Sequence, residues 1–281
     1  MLTSFKGNRS LLLSLLAVVA MTVLMSAPAL AITNGTPDGN GHPYVGLMVA
    51  KDSSGAPLWR CSGTLMSDRI FVTAGHCTAA PAASAEIWFD AGPIPLGDGY
   101  PSTRGRNTCT GVSGYPCTGD ASGKVYTHPD YDPDRFFFRD LGVVKLNGSM
   151  SMAVYGELPE LDQLDSLSAG AELTAVGYGV QSAFPDPAAF LEEAVRIRMV
   201  AEPALLQINS VNSGDYSLLL STNASGGGTC FGDSGGPNFL GDSTVVAGVS
   251  SFVITDTCKA FAGAFRLDRS WSLDWLATFG L

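Results

Sequence analysis

The sequence predicts an all-β protein closed by a single C-terminal α-helix. Short apolar runs recur along most of the chain, each bounded by turn residues, and the 281 residues include 33 Gly and 16 Pro to supply those turns. Helical periodicity is confined to the C-terminal end. Many short strands with few helical periods point to a barrel or a sandwich.

The elements follow in order. Lys6 and Arg9 precede an apolar run over residues 11–25, and Ala29-Leu30-Ala31 follows as a small-large-small cleavage pattern. This is the layout of a secretory signal peptide over residues 1–31, and the run is shorter than the roughly 18 residues that span a bilayer. Cleavage after Ala31 would make Ile32 the first residue of the mature chain. From Tyr44, "YVGLMVA", "LWRCSGTL" and "IFVTA", separated by "KDSSGAP" and "MSDR", suit consecutive antiparallel strands. Further candidates are residues 87–89, 141–146, 173–176, 195–200, 216–220, 245–249 and 261–265. Residues 91–123, rich in Gly, Pro, Ser and Thr, read as a long surface insertion stapled by Cys109 and Cys117. Trp271, Trp275, Leu276 and Phe279 share one helical face, with Asp268 or Ser270 placed to cap that helix and Gly280 to stop it.

Charge and cysteines bound the function. The formal net charge is -10, and loss of Lys6 and Arg9 with the signal takes it to -12. Nucleic acid and anionic membranes are poor partners for such a chain, because both need clustered Lys and Arg. All six cysteines, Cys61, Cys77, Cys109, Cys117, Cys230 and Cys258, lie after residue 31, an even count that reads as disulfides in an oxidising compartment. Neither a C-x2-C nor an H-x3-H pair exists to hold zinc, and no metal or cofactor is expected.

The densest chemical signal is "TCFGDSGGP" at residues 229–237. Gly-rich composition and Asp233 and Ser234 suit an ordinary turn. They also suit a serine nucleophile in a tight loop, where Gly232 and Gly235 let backbone N–H groups face a developing oxyanion. A serine needs a base, and only His42, His76 and His128 carry an imidazole. All three precede Ser234, which excludes the α/β-hydrolase order although "GDSGG" matches its G-x-S-x-G elbow. His76 ends an apolar segment in "VTAGHC", and Asp140 in "FFFRDLGVVKL" is the best buried carboxylate to orient it. Asp130, Asp132 and Asp134 lie in a proline-broken polar stretch and are expected at the surface.

"VTAGHC", "HPDYDPDRFFFRDLGVVKL" and "CFGDSGGP", in that order, resemble the trypsin-like, chymotrypsin-fold serine peptidases. The resemblance spans Ile32 to the C-terminus. It implies two antiparallel six-stranded β-barrels, about 32–148 and about 149–266, followed by a helix at about 268–280, with the active site in the cleft between barrels. It casts His76 as general base and acid, Asp140 as its orienting carboxylate, Ser234 as nucleophile and the N–H groups of Gly232 and Ser234 as the oxyanion hole. It implies disulfides Cys61–Cys77 and Cys230–Cys258, leaving Cys109 with Cys117. It further implies that the freed ammonium of Ile32 pairs with Asp233.

By the same resemblance the primary specificity pocket has Gly228 at its base and Ser251, Phe252, Val253 and Gly263 on its walls. No carboxylate stands at the base, and Val253 replaces a glycine at the entrance. Uncharged, small or medium aliphatic side chains are therefore expected before the scissile bond, with Asp256 the one acid near enough in sequence to favour basic residues instead. The implied protein is a secreted, monomeric endopeptidase acting on proteins or peptides and open to protein inhibitors. Its rival is a non-catalytic relative that binds a partner in the same cleft.

Overall fold

A computed structural model describes residues 32–94, 119–185, 194–211 and 213–281. The expected signal peptide and the Cys109–Cys117 pair lie outside the described residues. Strands β2 (Val45–Lys51), β3 (Pro57–Leu65), β4 (Ile70–Thr73), β5 (Ser84–Trp88), β6 (Ala121–Thr127) and β7 (Gly142–Leu146) form a closed antiparallel barrel in the order β2-β3-β4-β7-β6-β5. The second sheet contains β1 (Thr36–Pro37), β8 (Leu173–Gly177), β9 (Met199–Ala201), β10 (Leu205–Ser210), β11 (Gly214–Thr222), β12 (Pro237–Leu240), β13 (Val246–Val253) and β14 (Ala260–Arg266). Its order is β1-β9-β8-β12-β13-β14-β11-β10, an open half-barrel of eight strands where a closed six-stranded one was expected. Helix α1 (Gly75–Thr78) follows β4, and α2 (Ser270–Ala277) ends the fold.

The near-continuous apolar run of β2 arises because both its faces are covered. Met48 and Ala50 join the main core cluster with Phe71, Val72 and Val144, whereas Leu47 and Val49 pack with Trp88, Ile94 and Tyr178. Tyr178 follows β8, so this second cluster joins the barrel to the half-barrel.

Three details depart from the sequence expectation. Residues 36–37 pair with β9, so the N-terminal segment joins the second sheet and leaves the first barrel to begin at β2. Residues 121–123 belong to β6, paired with β5 and β7, and are not part of an insertion. Asp268 does not cap α2. Its carboxylate accepts from the Leu164 N–H at 2.9 Å and pairs with the buried Arg266 at 2.7 Å, which leaves Arg269 at the N-cap with no side-chain cap bond. The helix lies on the first barrel, Trp275 against His128 and Phe279 against Tyr126.

Candidate active site

β4 delivers the chain to α1, which carries His76, and the segment before β7 carries Asp140. Asp140 is wholly buried. Its carboxylate accepts from the His76 backbone N–H at 2.8 Å and sits 3.0 and 3.1 Å from His76 Nδ1. A third donor is Ser251 Oγ, 2.5 Å from Asp140 Oδ2. Burial opposes protonation of His76, but the adjacent charge and hydrogen bond of Asp140 outweigh it and hold the imidazole above its ordinary pKa. An ionised carboxylate so placed fixes the tautomer with the proton on Nδ1 and leaves Nε2 as the basic atom.

Ser234 comes from a loop between β11 and β12 in which Gly232 and Gly235 have φ +93° and +78°. Only glycine fits at 235, where a Cβ would stand 2.0 Å from Thr73 Oγ1 and 2.6 Å from the Ala74 nitrogen. That close approach seats the serine loop against the strand leading to His76. The Ser234 carbonyl accepts from the Ser62 N–H at 2.8 Å and lies 3.7 Å from Cys77 Sγ, the sulfur of the residue after His76. Among the described residues, the N–H groups of Gly232 and Ser234 donate to no other group. A Gly-rich loop with two free N–H groups beside a hydroxyl can stabilise an oxyanion.

Two disulfides brace this arrangement. Cys61 is bonded to Cys77 beside His76, and Cys230 to Cys258 beneath the serine loop, both as the resemblance implied. Cys61, His76 and Cys77 also place ligand-type atoms within 4.8 Å of one another, but the two sulfurs are joined and offer no thiolate to a metal. The other histidines are engaged elsewhere. His42 Nδ1 is 2.5 Å from Asp38, and His128 is buried between the Asp130 N–H and the Trp271 carbonyl. Asp130 and Asp134 are exposed and Asp132 is half-buried.

Asp233, next to the nucleophile, is fully buried. Its carboxylate accepts from the N–H groups of Gly179 at 2.8 Å and Cys230 at 2.9 Å. Burial pushes it up to about 7, against these two donors and the charge of Arg60. Ile32 is fully buried with Ala175, Met199 and Ala201, and Thr33 bridges Gly228. Ile32 is thus packed against β8 and β9 while Asn34, Thr36 and Pro37 are exposed, and in the intact chain the Ile32 nitrogen is an amide.

A cavity of about 240 Å³ opens at Ser234, lined by Thr229, Cys230, Ser251, Phe252 and Val253 and rimmed by Phe136 and Phe231. Gly228 and Gly263 do not line it, contrary to expectation. Thr222 packs on Gly228, where a Cβ would come 2.5 Å from its methyl, and the Phe252 ring lies on Gly263, where a Cβ would come 2.1 Å from it. Asp256 is exposed and off the lining. Phe136, Phe231 and Thr229 were not expected in the pocket from the sequence, nor was the bond of Ser251 to Asp140. Phe136 and Phe231 flank Asp140 and Gly232 in the chain, a proximity that could have found them.

The sequence model of the Trypsin family matches residues 32–266. Serine protease 1 of Drosophila melanogaster is 27% identical over 252 residues, covering 87% of this chain and 84% of that protein. Trypsin beta of Drosophila erecta is 26% identical over 275 residues, covering 92% and 99%. Among solved structures, HL collagenase superposes with a TM-score of 0.66 at 20% identity, over 89% of this chain and 99% of its own. Human heparin binding protein superposes with a TM-score of 0.60 at 16% identity, over 88% and 95%. The structural likenesses speak for the fold, and the family match covers most of the chain: it belongs to the trypsin family of serine proteases.

Proposed function

We propose that the mature chain is a secreted serine endopeptidase working through an acyl-enzyme. The observation that carries this reading is His76 held by a wholly buried Asp140 at 3.0 Å, with Ser234 in a glycine loop packed against the strand that leads to His76. His76 Nε2 takes the proton of Ser234 as its Oγ attacks the scissile carbonyl, and returns it to the leaving amine. The N–H groups of Gly232 and Ser234 hold the oxyanion of each tetrahedral intermediate. Water, deprotonated by the same imidazole, then releases the acyl group. Asp140 keeps the imidazole oriented and stabilises the imidazolium without taking its proton.

Uncharged side chains of small or medium size fit before the scissile bond. Among the described residues the cavity at Ser234 has no acid on its lining, and Thr222 and Phe252 pack against Gly228 and Gly263. Peptides differing only at that position test this, and dominance of Arg would overturn it. Signal peptidase cleavage after Ala31 would free Ile32 directly, so that its ammonium pairs with Asp233 without a separate zymogen step. N-terminal sequencing of the secreted protein should begin Ile-Thr-Asn-Gly, and any other start removes this step. The working form is a monomer whose macromolecular partners are protein substrates and protein inhibitors.

A binding protein on the same fold is the second reading, favoured by the likeness to human heparin binding protein. The presence of His76, Asp140, Ser234 and Gly232 weighs against it. A sulfonyl fluoride should label Ser234 and abolish amide hydrolysis, and the Ser234→Ala variant should be neither labelled nor active. An unlabelled, inactive mature chain would leave the binding reading standing.

A further inference from the structure

The hole that would receive the oxyanion is built on a glycine, and a glycine does not fix its own backbone. Something else must hold the peptide units around Gly232. Ser62, on β3 of the closed barrel, is wholly buried. Its Oγ donates to the Gly232 carbonyl at 2.9 Å and accepts from the Tyr178 N–H at 3.0 Å. Its own backbone N–H donates to the Ser234 carbonyl at 2.8 Å. One residue thus grips both Gly232 and Ser234, whose N–H groups form the candidate hole, and ties them to Tyr178. Tyr178 precedes Gly179, whose N–H holds the Asp233 carboxylate.

We propose that the Ser62 hydroxyl is a positioning residue for the oxyanion hole, fixing the Gly232–Asp233 peptide against the backbone of Tyr178 so that the Gly232 N–H faces the reacting carbonyl. The assignment rests on the peptidase reading above. The hydroxyl acts on the loop from the barrel side, through contacts that do not involve the N-terminus. It leaves the His76–Asp140 pair alone, because that pair is held by Ser251 and the His76 backbone. Its loss should therefore weaken stabilisation of the tetrahedral intermediate without moving the titration of His76.

The test compares the mature wild-type enzyme with Ser62→Ala and Ser62→Thr on one chromogenic peptide amide, together with binding of the matching peptide aldehyde. Outright loss of an oxyanion donor costs about 10²- to 10³-fold in kcat. Loosening one should cost less, and Ser62→Ala is expected to lose about tenfold in kcat and in aldehyde affinity. KM and the acid limb of the pH profile should stay within about twofold and a few tenths of a pH unit of wild type. Ser62→Thr, which keeps the hydroxyl, should recover most of the loss. If Ser62→Ala does not fold, Ser62→Cys, close in size but a weaker donor, takes its place under the same criteria. A variant without the hydroxyl that keeps kcat and aldehyde affinity within about twofold of an active wild type overturns the assignment alone, as does equal loss in the Ala and Thr variants. A wild type that neither reacts at Ser234 with a sulfonyl fluoride nor cleaves an amide overturns the peptidase reading on which the assignment stands.

Discussion

His76 and Asp233 are the residues whose chemistry depends most on where burial puts them. Because Asp140 raises the His76 pKa, the acid limb of kcat/KM should lie above the ordinary imidazole value of about 6.5. Asp140→Asn should bring a loss in kcat of about 10⁴-fold, the magnitude established for this triad in the family's reference enzymes. Steady-state kinetics across pH checks both, and an acid limb at or below 6.5 would contradict the raised imidazole. Asp233 behaves differently before and after cleavage. In the intact chain its folded pKa is raised from 3.8 to about 7, so the folded state favours the neutral acid. That contribution to stability is fully present below the unfolded pKa and is lost as pH rises through about 7. Melting temperatures of the intact chain should therefore fall between pH 4 and 7 relative to Asp233→Asn. Once Ile32 is freed, an ammonium paired with Asp233 should reverse this, its own pKa moving above about 8, and its stabilising effect should vanish only as pH rises through that higher value.

At the level of elements, the serine loop and the C-terminal helix each depend on a local contact. Gly235→Ala would force a Cβ onto Thr73 and the backbone of Ala74 in a left-handed conformation, at a cost of about 2–4 kcal/mol. Denaturant unfolding measures the loss, and amide hydrolysis should fall with it because Ser234 is adjacent. The helix α2 is held at its start by a neutral His128. Burial and the charge of Arg139 lower its pKa, although the bond to the Trp271 carbonyl pulls the other way. The neutral ring accepts from the Asp130 N–H and faces the Trp271 carbonyl, so a proton on both nitrogens breaks the first of these bonds. With a depressed folded pKa, the stabilisation is present above about 6.5 and is lost as pH falls through the lower folded value. Hydrogen-exchange protection factors in residues 270–277 should fall in wild type as pH drops below the ordinary imidazole value of about 6.5, and a His128→Gln variant should lose that dependence. The strands that escaped the sequence are instructive at this scale. β6 "ASGKVYT", β10 "LLQINS" and β12 "PNFL" carry no strong run of β-branched or alternating apolar residues, and only pairing with β5, β7, β8, β11 and β13 makes them strands.

Across the whole molecule, barrel and half-barrel are joined by a buried arginine that no motif announced. Arg198 is wholly buried before β9 and donates to Asp38 at 2.8 Å, to the carbonyls of Val45, Phe89 and Gly39, to Asn40 and to the Tyr178 hydroxyl. Val45 and Phe89 belong to the first barrel and its edge, whereas Tyr178 and Arg198 flank strands of the second sheet. Arg198→Met should leave Asp38 without this charged partner and several carbonyls without donors, costing about 3–5 kcal/mol in unfolding free energy. A loss under 1 kcal/mol would show the clamp to be dispensable. The order His76, Asp140, Ser234, the glycines around the serine and the cysteine count were legible in the sequence, because each is a local chemical requirement written as a residue type at a position. The lining of the cavity at Ser234, the bond from Ser251 to Asp140 and the grip of Ser62 on Gly232 were not. Each joins residues more than a hundred positions apart, or depends on Thr222 and Phe252 filling space that glycines leave open, and such distances and volumes exist only once the two halves have packed together.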